Sequence, residues 1–588
     1  MLTRATLNRA GVALLTGAIL ALTAAAGGAV IPTPQPLYQL PGNAQCTKAV
    51  TNCVLYPKSA VLPSGRQVAA FEKSTVTNAG SAYGQTIPVY KSDDNGATWQ
   101  PLAEVQAPAF ASNDAASAKY VSNWTNPYLY VMPQTVGSLT AGTLLLSTVV
   151  SGDDYYFLEQ KQANPNWIPT HDGARKDTAI ALYKSTNDGQ TWSFVNIVTT
   201  GGWSAARSNA NTYSQNDPVW EPYLMAHNGQ LVAYYSDERD YTGYNSSTGV
   251  PTLAANDATA ADSNGQILAH RTWNGATTSS WSSAVVDVAG LTQNVNGRNQ
   301  IGGGRPGMTN VVQTSDNKWL LTYEYFGGGA NVKHKISANP LNFYSVGGAA
   351  GADITALPVS GGSPALATGG SPVVLRMPDG RLVYNSYGSG DVWVNPSGSS
   401  TGAWTRQLTT MAGQYSRNLT YVPATGRVQL MGGFTTIQHA DVDFGRSTGP
   451  YYKLVNRQSG KALGVLAGNL LDGTNAVQWT DNGSFDQQWH VTTVNGYSTL
   501  LNRNSGRALG VWQGQTVDGA AAVQWVENTQ GDQQWQLVAV GSYFKLVNRN
   551  SGKVLGVEGG SAADGASVVQ WTDTGSLDQQ WSLVQTTS

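Results

Sequence analysis

The chain has little charge for its length. Of its 588 residues only 12% are Asp, Glu, Lys or Arg, and the formal net charge is −2. No basic patch stands out, which argues against nucleic acid as a partner, because a phosphate backbone is held mainly by Lys and Arg. The sequence also lacks HExxH, CxxC and EF-hand motifs. It therefore implies neither a metal nor a cofactor.

Cysteine and long apolar segments are equally scarce. The two cysteines are Cys46 and Cys53, which we expect to form a local disulfide in an exported chain. One apolar run extends from Gly11 to about Thr23, between two arginines and a series of small residues. This pattern predicts a signal peptide over residues 1–30, a secreted protein and no membrane-spanning segment. Nothing in the sequence indicates an oligomer, and we expect a monomer.

Glycine and aromatic residues, in contrast, are abundant, with 66 glycines, 18 tryptophans and 27 tyrosines. Helical periodicity is scarce over residues 35–447, where short apolar runs such as TLLLSTVV, AIALYKS and QLVAYYS alternate with turn sequences. Many short strands with regular turns are typical of a sandwich, a barrel or a propeller.

Two turn sequences favour the propeller. SDDNGATW at Ser92–Trp99 matches the Asp-box pattern S-x-D-x-G-x-T-W, and STNDGQTW at Ser185–Trp192 matches it except for Asn187. Asp-boxes recur between the outer strands of sialidase-type propellers, away from the active site. A segment of about 410 residues at roughly 60–70 residues per blade corresponds to six blades.

The C-terminal part is an internal triplicate. Each repeat opens with a segment like YYKLVNRQSGKALGV and ends in DQQW, and the last tryptophans, Trp489, Trp535 and Trp581, recur every 46 residues. A period of this length with alternating short strands predicts three units that share one core, a β-trefoil. The chain is therefore predicted to be all-β, with a six-bladed β-propeller over residues 35–447 followed by a β-trefoil over residues 450–588.

These repeats resemble the ricin-B type carbohydrate-binding module, of which the Q-x-W ending is the mark. In that family an aspartate in a Leu-Asp-Val stretch of each repeat binds sugar. Here the same place holds Gly464, Gly510 and Gly556. The resemblance implies a glycan-binding module, with a structural or degenerate lectin as the alternative.

Two glutamates carry the main chemical signal of the larger domain. The chain has only eight glutamates, and Glu221 in DPVWEPYL and Glu324 in LLTYEYFGGG lie on apolar, aromatic strand-like segments. A buried carboxylate needs compensation, and a buried pair is the usual equipment for cleaving a glycosidic bond. The alternative is that each glutamate is a strand-edge residue paired with an arginine.

The larger domain resembles glycoside hydrolase family 93, the exo-acting α-L-arabinanases of the sialidase superfamily. DPVWEPYL, LVAYYSDERD, GQILAHRT, GRPGMTNVVQTSDNKWLLTYEYFGG and YSRNLTYVP carry the resemblance in this order. It implies release of arabinobiose from the non-reducing end of linear α-1,5-L-arabinan with retention, and a plant cell-wall polysaccharide such as arabinan or a related hemicellulose or pectin side chain as partner. It also implies Glu221 and Glu324 as the catalytic pair. The sequence leaves open which of them is the nucleophile and which the acid/base, and we favour Glu221 as nucleophile and Glu324 as acid/base.

Further substrate-binding candidates come from the same segments. Arg305, Arg417 and His270 could hold hydroxyls or tune a carboxylate, with a salt bridge or a structural histidine as the alternatives. Asp237 and Arg239 either line the pocket or pair with each other. Aromatic stacking platforms are a further candidate group, although each could equally be core: Trp220, Tyr323 and Tyr387.

A Ser/Thr/Asn/Ala-rich insert at about Tyr241 to Asn264 departs from the family pattern and could add or close subsites. Two other functions stay open. A sialidase would need a tyrosine nucleophile and three arginines around a carboxylate, and does not explain the WEP and TYEY segments. A non-catalytic glycan-binding propeller is disfavoured because both glutamates are present.

Overall fold

The computed structural model describes residues 34–42, 54–73, 86–152, 163–164, 177–201, 217–255, 263–378, 380–423, 425–433, 436–442, 451–469, 472–494, 496–525, 527 and 530–586. The predicted signal peptide and the predicted disulfide between Cys46 and Cys53 lie outside these residues. Within the described residues the protein is built of β-strands, with one four-residue α-helix and short 3₁₀ turns.

The described residues from 35 to 442 form six four-stranded antiparallel sheets. After the N-terminal strand β1 (Gln35–Gln39), blades 1 and 2 follow with a short helix between them. Their elements are β2 (Val54–Val61), β3 (Gln67–Lys73), β4 (Ile87–Ser92), β5 (Gln100–Val105), α1 (Pro108–Ala111), β6 (Ser122–Val131), β7 (Leu144–Ser151), β8 (Ala179–Ser185) and β9 (Ser193–Thr200).

Blades 3 and 4 carry two additional hairpins. The first hairpin interrupts blade 3 and the second joins blade 3 to blade 4. In chain order the strands are β10 (Val219–His227), β11 (Gln230–Asp237), hairpin β12 (Tyr241–Tyr244) and β13 (Pro251–Leu253), β14 (Ile267–Trp273), β15 (Val285–Val288), hairpin β16 (Leu291–Val295) and β17 (Arg298–Gly303), then β18 (Gly307–Gln313), β19 (Trp319–Glu324), β20 (Val332–Ser337) and β21 (Ala352–Asp353).

Blade 6 takes its fourth strand from the beginning of the chain. Strand β1 pairs with β28, with Gln35 opposite His439, so the two ends of the domain are joined in one sheet. The strands of blades 5 and 6 are β22 (Val373–Arg376), β23 (Leu382–Asn385), β24 (Val392–Asn395), β25 (Thr405–Gln407), β26 (Asn418–Val422), β27 (Arg427–Gly433) and β28 (Thr436–Val442).

The first strands of the six blades contact one another in a closed ring, in the order β2, β6, β10, β18, β22, β26 and back to β2. Apolar side chains fill the spaces between neighbouring sheets. One such cluster joins blades 2 and 3 and includes Leu145, Ile180 and Tyr235. Because both faces of each sheet are covered, strands such as β7 are buried at every position. The all-β, six-bladed propeller predicted from the sequence is confirmed.

The two S-x-D/N-x-G-x-T-W turns join the third and fourth strands of blades 1 and 2. In the first turn Ser92 Oγ accepts from Gly96 N–H at 2.8 Å, and Asp94 Oδ1 accepts from Thr98 N–H at 2.9 Å. Asn187 Oδ1 makes the equivalent contact at 3.0 Å in the second turn, to Thr191 N–H. The amide oxygen thus replaces the carboxylate, and Gly96 adopts the left-handed φ of 89° that the turn requires.

Residues 451–586 form a β-trefoil of three similar four-stranded repeats, as predicted. Its strands are β29 (Tyr451–Asn456), β30 (Ala462–Val465), β31 (Ala476–Trp479), β32 (Trp489–Val494), β33 (Tyr497–Asn502), β34 (Ala508–Val511), β35 (Ala522–Trp525), β36 (Trp535–Val540), β37 (Tyr543–Asn548), β38 (Val554–Val557), β39 (Val568–Trp571) and β40 (Trp581–Gln585). Strand β40 pairs with β29, which closes the three repeats into one barrel.

The last tryptophan of each DQQW segment lies in the trefoil core. Trp489, Trp535 and Trp581 are all 0% exposed. Their indole nitrogens donate to Leu463, Leu509 and Leu555 carbonyl oxygens at 3.0, 2.9 and 3.0 Å. Each ring therefore fills the core and also satisfies a buried carbonyl of the second strand of its own repeat.

The second trefoil repeat contacts the propeller. Gln407 of β25 donates through Nε2 to Ser505 carbonyl oxygen at 3.1 Å, and Arg427 lies 3.7 Å from Glu527. Arg507 in the same repeat is 2% exposed, and its Nε lies 2.6 Å from Asp472. Lysines occupy the corresponding positions of the other two repeats, at Lys461 and Lys553, and stay more exposed. Among the described residues no helix is long and apolar enough to span a membrane.

Removing a core tryptophan of the trefoil should cost far more stability than removing a surface one in the same repeat. We expect Trp489→Ala to lower the free energy of unfolding by about 3–5 kcal/mol, because it opens a large cavity and leaves Leu463 carbonyl oxygen unpaired. Trp479→Ala, at a ring that is 43% exposed, should cost about 1 kcal/mol or less. Urea unfolding of both variants measures the difference, and equal losses would contradict the assigned burial.

Candidate active site

The two predicted catalytic glutamates lie on neighbouring blades. Glu221 is the third residue of β10, the first strand of blade 3, and Glu324 is the last residue of β19, the second strand of blade 4. Glu324 is 5% exposed and Glu221 is half-buried. The register pairs Glu324 with Gly307 of β18, which directly adjoins β10 in the ring of first strands.

Each first strand has a non-glycine residue in the left-handed region at the same point near the head of its blade. In β2, β6, β10 and β18 this residue lies within a β-bulge, and in blades 5 and 6 it lies two residues before the strand. The six residues, with φ between 46° and 58°, are Tyr56, Asn126, Glu221, Met308, Ser371 and Ser416. Such bulges turn a side chain or an amide out of the sheet plane, and here they do so around one axis.

Glu221 is itself one of these bulged residues. Its Oε2 accepts hydrogen bonds from Met308 N–H at 2.6 Å and from Ser236 Oγ at 2.8 Å. The Met308 amide is available because the bulge of blade 4 removes it from the pairing with β19. A Cβ on Gly307 would lie 2.7 Å from the same Oε2. Glycine at position 307 therefore leaves the space that this carboxylate occupies.

Glu324 is held in the same manner by the next blades. Its Oε2 accepts from the Ser371 N–H at 2.6 Å, and its Oε1 accepts from Tyr415 Oη at 3.1 Å. Ser371 and Ser416 are linked in turn by a bond from Ser416 N–H to Ser371 Oγ at 2.8 Å. The left-handed residues at the heads of blades 4, 5 and 6 thus bind or brace the two carboxyls.

The two carboxyls are electrostatically coupled. Burial raises the pKa of Glu324 to about 8, and the nearby negative charge of Glu221 adds to this increase. Burial also raises the pKa of Glu221, although the bonds from Met308 and Ser236 and the positive charge of Arg305 oppose it. The hydrogen bonds to Glu221 favour its charged form, whereas burial and the neighbouring charge favour the protonated form of Glu324. Acid-assisted glycoside cleavage needs one carboxyl in each of these states.

A third glutamate organises one wall of the site. Glu238, just after β11, accepts from the Trp220 indole nitrogen at 2.5 Å and from both terminal nitrogens of Arg305 at 3.1 and 2.5 Å. Arg305 also donates to Asn264 carbonyl oxygen at 2.8 Å. Trp220 is half-buried against Trp124, with ring centroids 5.0 Å apart. Glu238 therefore fixes an indole and a guanidinium immediately beside Glu221.

The opposite wall is aromatic. Tyr415, which bonds Glu324, has ring contacts with Tyr387 at 6.0 Å and with Tyr56 at 6.2 Å between centroids. Tyr387 is 43% exposed. Its position beside the carboxyl pair is compatible with the predicted stacking role.

A cavity of about 30 Å³ lies at the centre of the ring, lined among others by Lys58, Tyr128, Glu221 and Thr309. Lys58 donates to Arg417 carbonyl oxygen at 3.1 Å. Burial lowers the pKa of Lys58 to about 8, and the charge of Glu221 opposes this decrease.

The side chains of four predicted binding residues are taken up by contacts within the protein, which corrects their predicted role. Asp237 is 0% exposed and forms a bidentate pair with Arg239, so these two residues satisfy each other. His270 is 2% exposed on the third strand of blade 3, where its Nδ1 lies 3.0 Å from both Asp287 oxygens. Arg417 is 1% exposed and donates to the carbonyl oxygens of Gln414 and Gly390.

Tyr323 is also not a stacking platform. It is 0% exposed, and its hydroxyl donates to Ala350 carbonyl oxygen at 2.6 Å. Successive strand residues face opposite sides of a sheet, so Tyr323 packs between sheets while Glu324 faces the site.

Four residues of the site escaped the sequence analysis: Lys58, Ser236, Glu238 and Tyr415. Glu238 lies between the predicted residues Asp237 and Arg239. The low number of glutamates in the chain was the signal that could have found it. A further signal is the proline that follows the left-handed residue in four blades, at Pro57, Pro127, Pro222 and Pro372. Proline suits a bulge because it has no N–H to pair.

The insert after β11 contributes to the same side of the molecule. Its described part forms hairpin β12–β13, and Ser247 carbonyl oxygen accepts from Tyr344 Oη at 3.0 Å. Asn264, at its end, binds Arg305. The insert therefore adjoins the Glu238–Arg305 wall, while residues 256–262 lie outside the described residues. In the described part of the chain, no group of three or more His, Cys, Asp and Glu side chains is arranged to hold a metal ion.

The C-terminal part matches the family model of ricin-type β-trefoil lectin-like domains at residues 439–526 and 531–588. Solved structures similar to the chain include the GH93 α-L-arabinofuranosidase of Fusarium graminearum with arabinobiose, at 23% identity and TM-score 0.50, covering 70% of this chain and 97% of that one.

The same enzyme with an iminosugar inhibitor gives 22% identity and TM-score 0.50, covering 72% of this chain and 100% of that one. The α-L-arabinanase of Penicillium chrysogenum with arabinobiose is 25% identical in sequence, with a TM-score of 0.49. The match covers 71% of this chain and 99% of that one. No curated protein sequence matches. The chain is thus a six-bladed propeller of the same fold as the Fusarium enzyme, joined to a ricin-type trefoil.

The raised pKa of Glu324 predicts a pH-dependent cost in stability. The folded protein holds a proton on this carboxyl up to about pH 8, whereas the unfolded chain releases it near pH 4.5. Stability should therefore fall as pH rises through this window. Glu324→Gln removes the charge and should raise the melting temperature of the propeller at pH 9 by several degrees. At pH 4 the variant and the parent should melt together, and an equal difference at both pH values would contradict the prediction.

Proposed function

We propose that the protein is a secreted, retaining glycoside hydrolase that releases arabinobiose from the non-reducing end of linear α-1,5-L-arabinan. The observation that carries the proposal is the coupled pair of Glu221 and Glu324, one favoured as charged and one as protonated, at the head of a propeller. Secretion rests on the N-terminal sequence alone.

The contacts of the two carboxyls support a division of labour. Glu221 accepts two hydrogen bonds on Oε2, which favours its ionised form and leaves Oε1 for attack on the anomeric carbon. Glu324 would protonate the leaving oxygen and then, once ionised, activate water against the glycosyl-enzyme. The two Glu324 contacts, from the Ser371 amide and the Tyr415 hydroxyl, keep that carboxyl in one orientation through both steps.

The arabinan substrate is supported by the Fusarium and Penicillium enzymes, which were solved with arabinobiose. The wall of Trp220, Glu238 and Arg305, with the insert behind it, supports a site closed on one side, which suits removal of a short unit from a chain end. The trefoil would hold the enzyme on the same polysaccharide and raise the local concentration of chain ends.

A sialidase is less well supported by these contacts. The pair of Tyr415 and Glu324 would serve that chemistry, but it also needs three arginines around a carboxylate. The two candidates, Arg305 and Arg417, are bound to Glu238 and to backbone carbonyls respectively. A non-catalytic propeller would have no need for two neighbouring carboxyls whose pKa values are both raised.

Incubation of the purified protein with linear arabinan tests the proposal. We expect arabinobiose as the sole early product, because the closed wall limits the site to a chain end. Glu221→Gln and Glu324→Gln should each lower the rate by about a thousandfold or more, since each removes one half of the acid–base chemistry. Separation of the soluble products formed from branched and linear arabinan measures both the product length and the rate of each variant.

The outcomes are distinct. A ladder of oligomers would show that the chain is cut internally, and no product from arabinan would reject the substrate. An arabinobioside with a nitrophenol leaving group needs little acid assistance. Glu324→Gln should therefore retain more of its turnover on this compound than Glu221→Gln does, and the reverse result would exchange the two roles.

Glu238 is predicted to act as a positioning residue. Glu238→Gln keeps an acceptor for Trp220 but loses the charged pair with Arg305. It should lower kcat/KM by about tenfold or more through a higher KM. The charge of Glu238 helps to raise the pKa of Glu221, so the acidic limb of the pH profile should also move to lower pH. Asp353→Asn, which breaks a part-buried pair with Lys333, is the control, and an unchanged pH profile in Glu238→Gln would contradict the role.

A further inference from the structure

Phe326 is an exposed ring at the end of the strand that carries Glu324. It is 52% exposed, whereas Tyr323 and Tyr325 are 0% and 1% exposed. The backbone keeps the strand pattern beyond β19, because Phe326 N–H donates to Gly304 carbonyl oxygen, just before β18, at 2.6 Å. Successive residues of such a segment face opposite sides. The two tyrosines therefore pack between the sheets, and Glu324 and Phe326 share the face of the site.

Tyr387, on blade 5, is a second exposed ring beside the same carboxyl. Its ring centroid lies 6.0 Å from that of Tyr415, whose hydroxyl donates to Glu324. The Tyr387 N–H donates to Gly370 carbonyl oxygen at 3.0 Å, and a Cβ on Gly370 would overlap the Glu324 carboxyl. Two neighbouring blades thus each place one exposed aromatic ring near Glu324.

The surface that carries these two rings is low, because its turns are rich in glycine. Gly369 N–H donates to Ala330 carbonyl oxygen at 3.3 Å, so the turns of blades 4 and 5 adjoin each other. On blade 3, in contrast, hairpin β12–β13 contacts β17 of the second hairpin, next to the Glu238–Arg305 wall. The site is therefore walled towards blade 3 and open towards blades 4 and 5. The glycines of the open side are Gly327, Gly328, Gly329, Gly369, Gly370, Gly388 and Gly390.

The chemistry of the carboxyl pair gives this asymmetry a direction. In glycoside cleavage the acid protonates the oxygen of the leaving group, so the sugar chain attached to that oxygen lies on the side of the acid. In the proposed reaction the acid is Glu324, and its side is the open one. The unit that is released would then occupy the walled side, and the rest of the polysaccharide would cross the heads of blades 4 and 5.

We infer that Phe326 is a specificity-determining residue which, together with Tyr387, supports the leaving part of a neutral polysaccharide chain. Exposed apolar rings beside a reactive site mark a surface that a ligand covers, and a sugar ring presents C–H groups that pack on an aromatic face. The inference rests on the proposed function and deepens it. It states which way the chain lies and predicts that longer leaving groups bind better.

The dependence of hydrolysis on the length of the leaving group tests the inference. Three substrates share the same arabinobiosyl unit: arabinohexaose, arabinotriose and arabinobiosyl fluoride, whose leaving group is a single atom. Phe326→Ala should lower kcat/KM for arabinohexaose by about tenfold, because the leaving chain loses the ring on which it rests. The loss should be smaller for arabinotriose. Turnover of the fluoride should stay within about twofold of the parent.

Phe110→Ala is the matched control. Phe110 is 46% exposed on α1, between blades 1 and 2, which lie across the ring of six from blades 4 and 5. Its removal deletes the same side chain on the opposite side of the axis and should leave the kinetics on all three substrates unchanged. Phe326→Trp keeps an aromatic face and should keep the preference for arabinohexaose. Thermal unfolding checks that each variant is folded.

Direct binding separates this inference from the proposed reaction. Glu221→Gln blocks cleavage and leaves the Glu324 side intact, so titration calorimetry of this variant measures the binding of arabinohexaose alone. Adding Phe326→Ala should weaken the affinity by about tenfold. Binding that depends on Phe326, together with no hydrolysis of arabinan by the parent enzyme, would reject the proposed reaction and retain the surface.

Other outcomes would overturn the inference. These are an unchanged kcat/KM of folded Phe326→Ala on arabinohexaose, an equal loss on arabinohexaose and on the fluoride, and no binding of arabinohexaose by Glu221→Gln. A loss on arabinohexaose in Phe110→Ala instead of Phe326→Ala would place the leaving chain over blades 1 and 2, and would also overturn it.

Discussion

The architecture of the site depends on one backbone feature, a left-handed residue at the head of each blade. Because the six first strands contact one another in a ring, these six residues surround one axis. This conformation turns the Glu221 side chain out of its sheet and leaves the Met308 and Ser371 amides to bind the carboxyls. Each is a non-glycine residue with positive φ, which costs energy that the packed blades must compensate. Strain is thus concentrated at the residues that would do the chemistry.

The two neighbouring carboxyls add an electrostatic cost in stability to the backbone strain at this site. Two carboxyls share a site from which water is largely excluded, and the charge on Glu221 helps to keep the proton on Glu324. The arrangement lowers stability at high pH but gives the pair the two protonation states that glycoside cleavage requires. The positive charge of Arg305 opposes the rise in the pKa of both carboxyls, and Glu238 holds Arg305 in position.

The two domains use repetition differently. In the propeller the six left-handed residues share a backbone conformation, but their side chains diverge into carboxylate, amide, hydroxyl and thioether groups, so one candidate active site arises from six similar strands. The trefoil keeps its side chains nearly identical, so the same tryptophan-to-carbonyl contact occurs three times. Its symmetry is broken where the second repeat contacts the propeller and Arg507 replaces the lysine of the other repeats.

The sequence by itself determined the fold class and both repeat architectures, because strand alternation, turn chemistry and a 46-residue period are local signals. It also singled out the two glutamates as candidates. It also placed Trp220, Arg305 and Tyr387 near the carboxyls. Only the tertiary structure decided that Asp237 binds Arg239, that His270 binds Asp287, and that Tyr323 and Arg417 are buried. The physical reason is that these outcomes depend on which face of a strand meets which neighbouring blade. The roles of Glu238, Tyr415 and the Met308 amide likewise require residues from different blades to meet, and no local pattern encodes such a meeting.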